Sequence, residues 1–474
     1  MTAPFVWIFL PGIVAVILYT IRRWERVIHF AGIVTVLLLA YLAWQLPIDQ
    51  PIVLGIPGVP ALRLQESFPI LGQEFLITAA SQPALILIYL GMSMWFGGAF
   101  IAGVDRLFIP LGLGVAALLT ASITIQPKTF SILLVEIVAL LCIPILTPPG
   151  KPLRRGVLRF LIFQTMGMIL ILLADWMLKN IAFNPDSAVS LSGAALILGL
   201  GFALIAAIFP FHTWIPMLAE EAHPYSAAFV FFILPTSLSF LGLNYLSTYI
   251  GLGSSALIYN AIALAGLLMV ITGGIWALFE RHLGRILGFA AITQIGMGLL
   301  AISLTGVVPK NSAIAGIFFA QLFPQLIGFA VWALALSAFA QKSPDMRFRA
   351  VQGMAHQQPI ATIGLAAASF SLAGSPLLAS FPGFVALWSS LARTSTPYAI
   401  GSVLGCALLF ASALRTVAVL VMSPDHTQWE FREKGIKPVL LATGTILLFI
   451  LGIIPQIYMG MLTNLASIFI YQGP

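Results

Sequence analysis

Long runs of apolar residues, separated by short polar segments, occupy almost the whole chain. Each run is about 20 residues long, the length that an α-helix needs to cross a hydrocarbon core about 30 Å thick. The alternation over about ten residues that is typical of a membrane β-barrel strand is not found. The pattern therefore predicts an all-α polytopic membrane protein with about 14 transmembrane helices. The predicted spans are Phe5–Ile21, Val27–Leu46, Ala79–Ala102, Leu107–Ile125, Phe130–Thr147, Val157–Leu178, Leu191–Pro210, Ser226–Ile250, Leu257–Phe279, Ile286–Gly306, Ser312–Ala340, Pro359–Leu391, Tyr398–Met422 and Val439–Tyr458.

Two of these spans are interrupted by proline and glycine. Span 7 runs into the proline-rich stretch Ile208–Pro216, and span 12 contains Gly374-Ser375-Pro376. Backbone freed from helical hydrogen bonds at membrane depth is tolerated only where it is buried in protein or lines a wet cavity. We therefore expect discontinuous helices at spans 7 and 12, as in secondary transporters whose helix ends face an ion path. For span 12, a proline kink repaired by neighbouring helices is the alternative.

The loop charges predict an orientation. Loops that follow odd-numbered spans, with Arg159 just inside span 6, carry 16 Lys and Arg residues, and loops that follow even-numbered spans carry 5. The positive-inside rule then places the odd-to-even loops in the cytoplasm and both termini outside.

Composition excludes several other classes of protein. The chain is 60% hydrophobic and only 8% charged, whereas soluble domains are about 25% charged. Its net charge of +7 lies in short loops, where it sets topology and does not indicate nucleic-acid binding. Cys142 and Cys406 are isolated and no P-loop is present, so we expect no metal site, no nucleotide site and no cofactor.

Glu136 is the clearest candidate for chemistry. It lies in the middle of span 5, in LLVEIV, with no cation within a helical turn. Ionisable groups inside a span are expensive and are a functional hypothesis by default, so we predict a proton carrier. A neutral glutamic acid hydrogen-bonded to a neighbouring helix is the alternative.

The stretch after span 7 collects four more titratable residues in an otherwise uncharged region: His212, Glu220, Glu221 and His223. Histidine titrates near neutral pH, which suits a proton relay. Ordinary solvated residues of an interfacial loop are the alternative. Metal ligation is disfavoured because the spacing lacks the HExxH pattern.

Four further polar residues lie in spans. Gln321 and Gln325 are one turn apart in span 11, where they could hydrate a cavity or bond to another helix. Asp175 and Arg415 lie near span ends, so we expect them to snorkel or to pair with loops.

Three motifs resemble one family. The sequence FPFHTWIP (209–216) is similar to the FPFHTWLP hallmark of antiporter-like subunits of respiratory complex I, of the Mrp cation/proton antiporters and of membrane-bound hydrogenases. The run RILGFAAITQIG (285–296) resembles the family's RLLAYSSIxxxG segment, and LGIIPQ (451–456) resembles its closing LGxxPQ. The likeness covers most of the chain.

The resemblance implies a proton path along a central polar axis. In the family, this path uses a Glu in span 5, lysines in spans 7 and 8, a histidine in span 11 and a Lys or Glu in broken span 12. Carried over one at a time, these positions correspond to Glu136, Ile205, Thr236 or Ser237, Gln321 and a residue near Phe384. Only the glutamate is kept, so the chain resembles a divergent paralogue that lacks the usual lysines.

The sequence thus predicts one antiporter-like transmembrane domain, 1–474, with N-terminal helices in 3–147 and core halves in 157–306 and 312–474. We expect an integral subunit of an energy-transducing membrane, in contact with lipid and with other membrane subunits of a complex I-like assembly. It would take part in, or support, proton translocation without a redox centre of its own. The proton-path candidates are Glu136, His212, Glu220, Glu221, His223 and Gln321. The alternatives are a structural scaffold that links pump modules, and an Mrp-type or hydrogenase-linked component.

Overall fold

The computed structural model describes residues 2–48, 51–52, 62–70, 72–150, 152–183, 190–306, 312–422, 429, 433, 435–463 and 465–466. The N-terminal helices are α1 (Leu10–Thr20, continuing a π-helical turn over Phe5–Phe9), α2 (Glu25–Gln45), α3 (Gln82–Ala102), α4 (Phe108–Thr124) and α5 (Thr129–Leu146). The first core half contains α6 (Arg155–Phe183), α7 (Leu191–Ile205), α8 (Trp214–Glu221), α9 (Pro224–Thr248), α10 (Ile250–Gly253), α11 (Ala256–Phe279) and α12 (Leu283–Ser303). The second half contains α13 (Ser312–Ala340), α14 (Phe348–Val351), α15 (Pro359–Leu372), α16 (Phe381–Thr394), α17 (Thr396–Val421), α18 (Ile436–Ile453) and α19 (Gln456–Thr463).

The helices confirm the polytopic all-α class. Among the described residues, ten helices are long and apolar enough to cross a membrane. The remaining four predicted spans contain shorter apolar helices, at Phe5–Thr20, Phe108–Thr124, Leu191–Ile205 and Pro359–Leu372. The number of 14 crossings and the orientation stay predictions.

Span 7 is discontinuous, but its helix ends earlier than predicted. Helix α7 stops at Ile205, five residues before the expected end at Pro210. Ala207 adopts a left-handed backbone with φ of 57°. The helix therefore ends before Pro210 and before Phe209, the residue whose backbone conformation the proline restricts. A 3₁₀ turn over Phe211–Thr213 then leads into the half-helix α8.

Span 12 is discontinuous at the predicted place. Helix α15 ends at Leu372 and α16 begins at Phe381. Gly374 carries the left-handed turn with φ of 78°. A side chain at this position would also lie 2.6 Å from the ring of Phe384, so the turn requires glycine on two grounds.

Small residues set the closest helix contacts. A Cβ on Gly167 of α6 would lie 2.8 Å from the carbonyl oxygen of Gly201 on α7, and Gly296 of α12 stands in the same relation to Gly266 of α11. Such close backbone approach is how helices gain packing energy where lipid removes the hydrophobic driving force.

Two small antiparallel sheets accompany the N-terminal helices. The loop from Pro47 to Thr78 is predicted to pack on the outer face. Its described part contains four short strands: β1 pairs with β2, while β3 and β4 form a sheet with β5, which follows α4. The strands are β1 (Pro51–Ile52), β2 (Leu62–Arg63), β3 (Ser67–Ile70), β4 (Gln73–Leu76) and β5 (Ile125–Gln126).

Candidate functional site

Glu136 lies buried in the middle of α5, with 8% of its surface exposed. The hydroxyl of Thr165 on α6 donates a hydrogen bond to its Oε1 at 2.9 Å. Among the described residues, no Lys or Arg forms an ion pair with this carboxylate. A carboxyl group with a hydroxyl partner and no cation is compatible both with a proton carrier and with a neutral interhelical hydrogen bond.

The family's span-7 lysine position is apolar in the structure as well as in the sequence. Ile205 is buried and packs with Ile132 and Val135 of α5 in one apolar cluster. Its backbone carbonyl, at the end of α7, accepts a hydrogen bond from Nε2 of Gln164 at 3.2 Å. A helix-end carbonyl and an amide thus stand where the resemblance would place an ammonium group.

His212 lies in the turn between α7 and α8. Its ring stacks on Phe209 with centroids 5.5 Å apart and planes at 20°. Its Nδ1 is buried without a hydrogen-bond partner in the described structure. The neighbouring Thr213 hydroxyl accepts from the guanidinium of Arg159 at 3.1 Å, so the first break is tied to α6 by a cation.

Glu220, Glu221 and His223 anchor α8 at the end of the bundle that the charge bias predicts to be cytoplasmic. Glu221 Oε2 accepts from the backbone N–H of Gly156 at 2.7 Å, which caps the first turn of α6. Glu220 Oε2 lies 3.5 Å from Nε of Arg285 at the start of α12. Nδ1 of His223 accepts from the backbone N–H of Tyr225 and caps α9. These contacts give the three residues a positioning role, and their predicted proton-path role stays a prediction.

The distance along α6 separates this anchor from Glu136. Gly156 and Thr165 are nine residues apart, which corresponds to about 13.5 Å of helix. The structure therefore brings Glu220, Glu221 and His223 together, but not with Glu136.

The second break is surrounded by neutral polar groups. Gln321 of α13 is buried, and neither its Oε1 nor its Nε2 has a hydrogen-bond partner in the described structure. Nε2 of Gln294 donates to the carbonyl of Leu372, the last residue of α15, at 2.6 Å, while its Oε1 is buried without a partner. Phe384, near the expected acid or base, is fully buried against Gly374. Buried amides without partners indicate sites for ordered water.

Two cavities flank α9 at Thr236, one of the positions that corresponds to the missing span-8 lysine. One, of about 20 Å³, is lined by Pro235, Gln294 and Gln325 among others, and the other, of about 40 Å³, by Ser122 and Ser237 among others. Thr236 lines both. A volume of about 10–15 Å³ suffices for one water, and Pro235 leaves a carbonyl one turn earlier without its helical donor.

Asp175 is a functional candidate that the sequence interpretation missed. The carboxylate is buried at the far end of α6, where Tyr249 and Lys179 contact it. Its position near a span end indicated snorkelling, and the signal that could have revealed it is the lysine one turn later. Arg415, by contrast, pairs with a loop as predicted, because its guanidinium donates to the carbonyl of Glu280.

Two groups just outside the spans have shifted pKa values. Burial lowers the pKa of Lys128, which precedes α5, to about 8, and its ammonium donates to the carbonyl of Ile123. Burial also lowers the pKa of His282 before α12, against the opposing effect of nearby carboxylates that include Glu220 and Glu280.

Comparison with known proteins places the fold. The family model described as NADH:quinone oxidoreductase/Mrp antiporter, transmembrane, matches residues 159–409, more than half of the chain and both breaks. A chain of the Mrp complex from Dietzia sp. superposes with a TM-score of 0.79 at 16% identity, over 99% of this chain and 97% of that one. A chain of the membrane-bound sulfane sulfur reductase, an archaeal respiratory membrane complex, gives 0.77 at 15%, over 99% and 98%. A chain of respiratory complex I from Thermus thermophilus with bound NADH gives 0.74 at 19%, over 97% and 98%.

Proposed function

The chain belongs to the NADH:quinone oxidoreductase/Mrp antiporter transmembrane family, and from that premise we propose that it takes part in proton translocation coupled to electron transfer. It is an antiporter-like integral subunit of an energy-transducing membrane and has no redox centre of its own. Its similar folds belong to subunits of multi-subunit membrane complexes, so its partners are other membrane subunits and lipid. The domain is single, with two core halves that each contain one break.

The buried carboxyl of Glu136 carries this proposal. It lies in the middle of an apolar helix, and the only polar contact of its side chain in the described structure is the Thr165 hydroxyl. An ionised carboxylate without a cation is expensive inside a membrane. A carboxyl beside a hydroxyl can instead take up a proton and pass it on, since both groups donate and accept hydrogen bonds.

Water supplies the connection that the missing lysines would otherwise provide. The cavities at Thr236 are large enough for water, and the unpartnered amide oxygen of Gln294, which lines one of them, offers it a hydrogen bond. These features support hydration beside α9, which lies between α5 and the second break.

Replacing Glu136 with glutamine in the assembled complex tests the proposal. The substitution keeps the shape and one acceptor but removes the exchangeable proton, so the number of protons moved per electron falls while electron transfer continues. Glu136→Asp keeps a carboxyl, so it retains part of the wild-type number of protons moved per electron. Glu74→Gln, in the β3–β4 hairpin, is the matched control and leaves the ratio unchanged. An unchanged ratio for Glu136→Gln in a fully assembled complex would falsify the proton-carrier role and favour the scaffold.

A further inference from the structure

Asp175 is a buried carboxylate that the path through Glu136 does not use. Only 3% of its surface is exposed, although it lies within the apolar helix α6 and close to its end. An intramembrane carboxylate is costly and therefore needs partners or a function. Along α6 it is ten residues, about 15 Å, from Thr165, so it forms a separate site.

Four side chains surround this carboxylate, and we call the group the outer cluster: Asp175, Lys179, Tyr245, Tyr249 and Thr129. The Tyr249 hydroxyl donates to Oδ1 of Asp175 at 3.0 Å. Lys179 Nζ lies 3.1 Å from Oδ2, and the same ammonium donates to the hydroxyl of Thr129, the first residue of α5. Lys179 therefore contacts two acceptors at once, one charged and one neutral.

A second tyrosine lies beside the carboxylate. Tyr245 stacks on Tyr249 with centroids 6.0 Å apart and planes at 16°. It is 5% exposed, and its hydroxyl interacts with the side chain of Asp175. The carboxylate is therefore enclosed by two aromatic hydroxyls.

Lys179 connects the cluster to solvent. Its side chain is 40% exposed, whereas that of Asp175 is 5% exposed. The loop after α6 follows an even-numbered span, so the charge bias predicts that this end of the helix faces the outer side. Movement of the ammonium away from Asp175 would open the carboxylate to outer water.

The cluster also contacts the helix that carries the proton carrier. Thr129 and Glu136 are seven residues apart on α5, which places them on one face about 10.5 Å from each other. The apolar residues Ile132 and Val135 fill the turn between them. Transfer of a proton between the two carboxyl groups therefore requires water to enter this layer.

We propose that Asp175 and Lys179 form a proton-exchange site at the outer face, through which protons that pass Glu136 leave the membrane. A proton that arrives from the Glu136 side forms an O–H bond on the Asp175 carboxylate. The neutral carboxyl no longer holds the ammonium of Lys179, which turns to Thr129 and solvent. The O–H bond then breaks as the proton passes to an outer water, and Lys179 returns to the carboxylate. The proposal rests on the proposed function for the origin of the proton.

Carbodiimide labelling of the native assembly in membrane vesicles tests protonation of Asp175 directly. Dicyclohexylcarbodiimide adds to a protonated carboxyl in an apolar site and leaves a stable N-acylurea that mass spectrometry locates. We expect an adduct on Asp175 whose yield increases as the pH is lowered. Lys179→Met increases the yield at a given pH, because it removes the ammonium that lies 3.1 Å from Oδ2 and covers the carboxyl. Asp105, which caps the backbone N–H of Leu107 in an exposed loop, is the internal control and stays unlabelled.

Absence of an Asp175 adduct at every pH, in vesicles whose Glu136 does react, would overturn the proposal. This readout does not depend on pumping, so it distinguishes failure of the exchange site from failure of the proposed function. A second measurement counts the protons released on the outer side per electron transferred. Asp175→Asn lowers this number, and Asp175→Glu restores part of it. If labelling occurs but Asp175→Asn leaves the ratio unchanged while Glu136→Gln lowers it, the exit role is wrong.

Discussion

The two broken helices of this chain differ in the chemistry around them. Around the first break, between α7 and α8, stand a histidine, two carboxylates and the guanidinium groups of Arg159 and Arg285. The second, between α15 and α16, has amides and hydroxyls, and broken span 12 from Pro359 to Leu391 contains no ionisable residue. Backbone geometry is shared, since both breaks include a left-handed residue. The same scaffold can thus be kept while the ionisable groups differ between its two breaks.

The largest expected effect compares the two left-handed turns. Gly374→Ala introduces both an unfavourable φ and a contact 2.6 Å from the Phe384 ring, so we expect a loss of about 2–4 kcal/mol in the free energy of unfolding. Ala207→Gly relieves the backbone strain at the first break but increases the conformational entropy of the unfolded chain. Because these effects oppose each other, the free energy of unfolding changes by less than about 1 kcal/mol. Chemical denaturation in detergent measures both.

Gly72→Ala is the control for this pair, because Gly72 also has a positive φ but no neighbour near the added Cβ. This variant therefore measures the free-energy cost of the left-handed backbone without the cost of a steric clash. Equal losses for Gly72→Ala and Gly374→Ala would contradict the claim that the second break is packed against Phe384.

An intermediate effect compares the two adjacent glutamates that anchor α8. Glu221→Gln weakens a charge-assisted bond to the first turn of α6, and we expect it to cost about 1 kcal/mol. Glu220→Gln disrupts a half-exposed pair with Arg285 and costs about 0–1 kcal/mol. Thermal unfolding of the two variants measures the difference. A larger loss for Glu220 would mean that α8 is anchored mainly to α12.

The smallest effect is a pH dependence at the same end of the bundle. Burial lowers the pKa of His282 in the folded protein, so the folded state binds the proton more weakly than the unfolded chain does. Stability is therefore lost as the pH falls below about 6.5, the ordinary value for histidine.

His282→Asn tests this sign, because asparagine keeps a side-chain acceptor for the N–H of Arg285 at the start of α12 and removes the titration. We expect the variant to lose less stability than the wild type between neutral and mildly acidic pH. Unfolding midpoints measured at several pH values check it. Parallel pH curves for the two proteins would contradict the shift.

Much of the fold could be predicted from the sequence. Apolar runs of span length located the helices, and Pro and Gly located both breaks, because these signals are local. The predicted end of α7 was wrong, because no sequence signal marks Ala207 as a residue with a left-handed backbone. The strands β3 and β4 could not be predicted from local pattern. They lie in a loop, and β4 pairs with β5, which is about 50 positions away along the chain.

The candidate site was predictable only where a residue is anomalous in its own segment. Glu136 qualifies, because a lone charge in an apolar run is evident. Asp175 lies near a span end beside Lys179, which indicated snorkelling, and its other partner Tyr249 is 74 residues away. The same limit applies to Glu221, whose capping of Gly156 spans 65 residues. The cavities at Thr236 depend on how kinked helices pack, which periodicity does not report.

One measurement compares the buried carboxyl with the neutral amide near the second break most directly: protons moved per electron in the assembled complex, with Glu136→Gln and Gln321→Leu side by side. The account predicts a fall for Glu136→Gln and a smaller fall for Gln321→Leu, because other neutral groups still hold water at the second break. A wild-type ratio for Glu136→Gln, or a larger fall for Gln321→Leu, would contradict it.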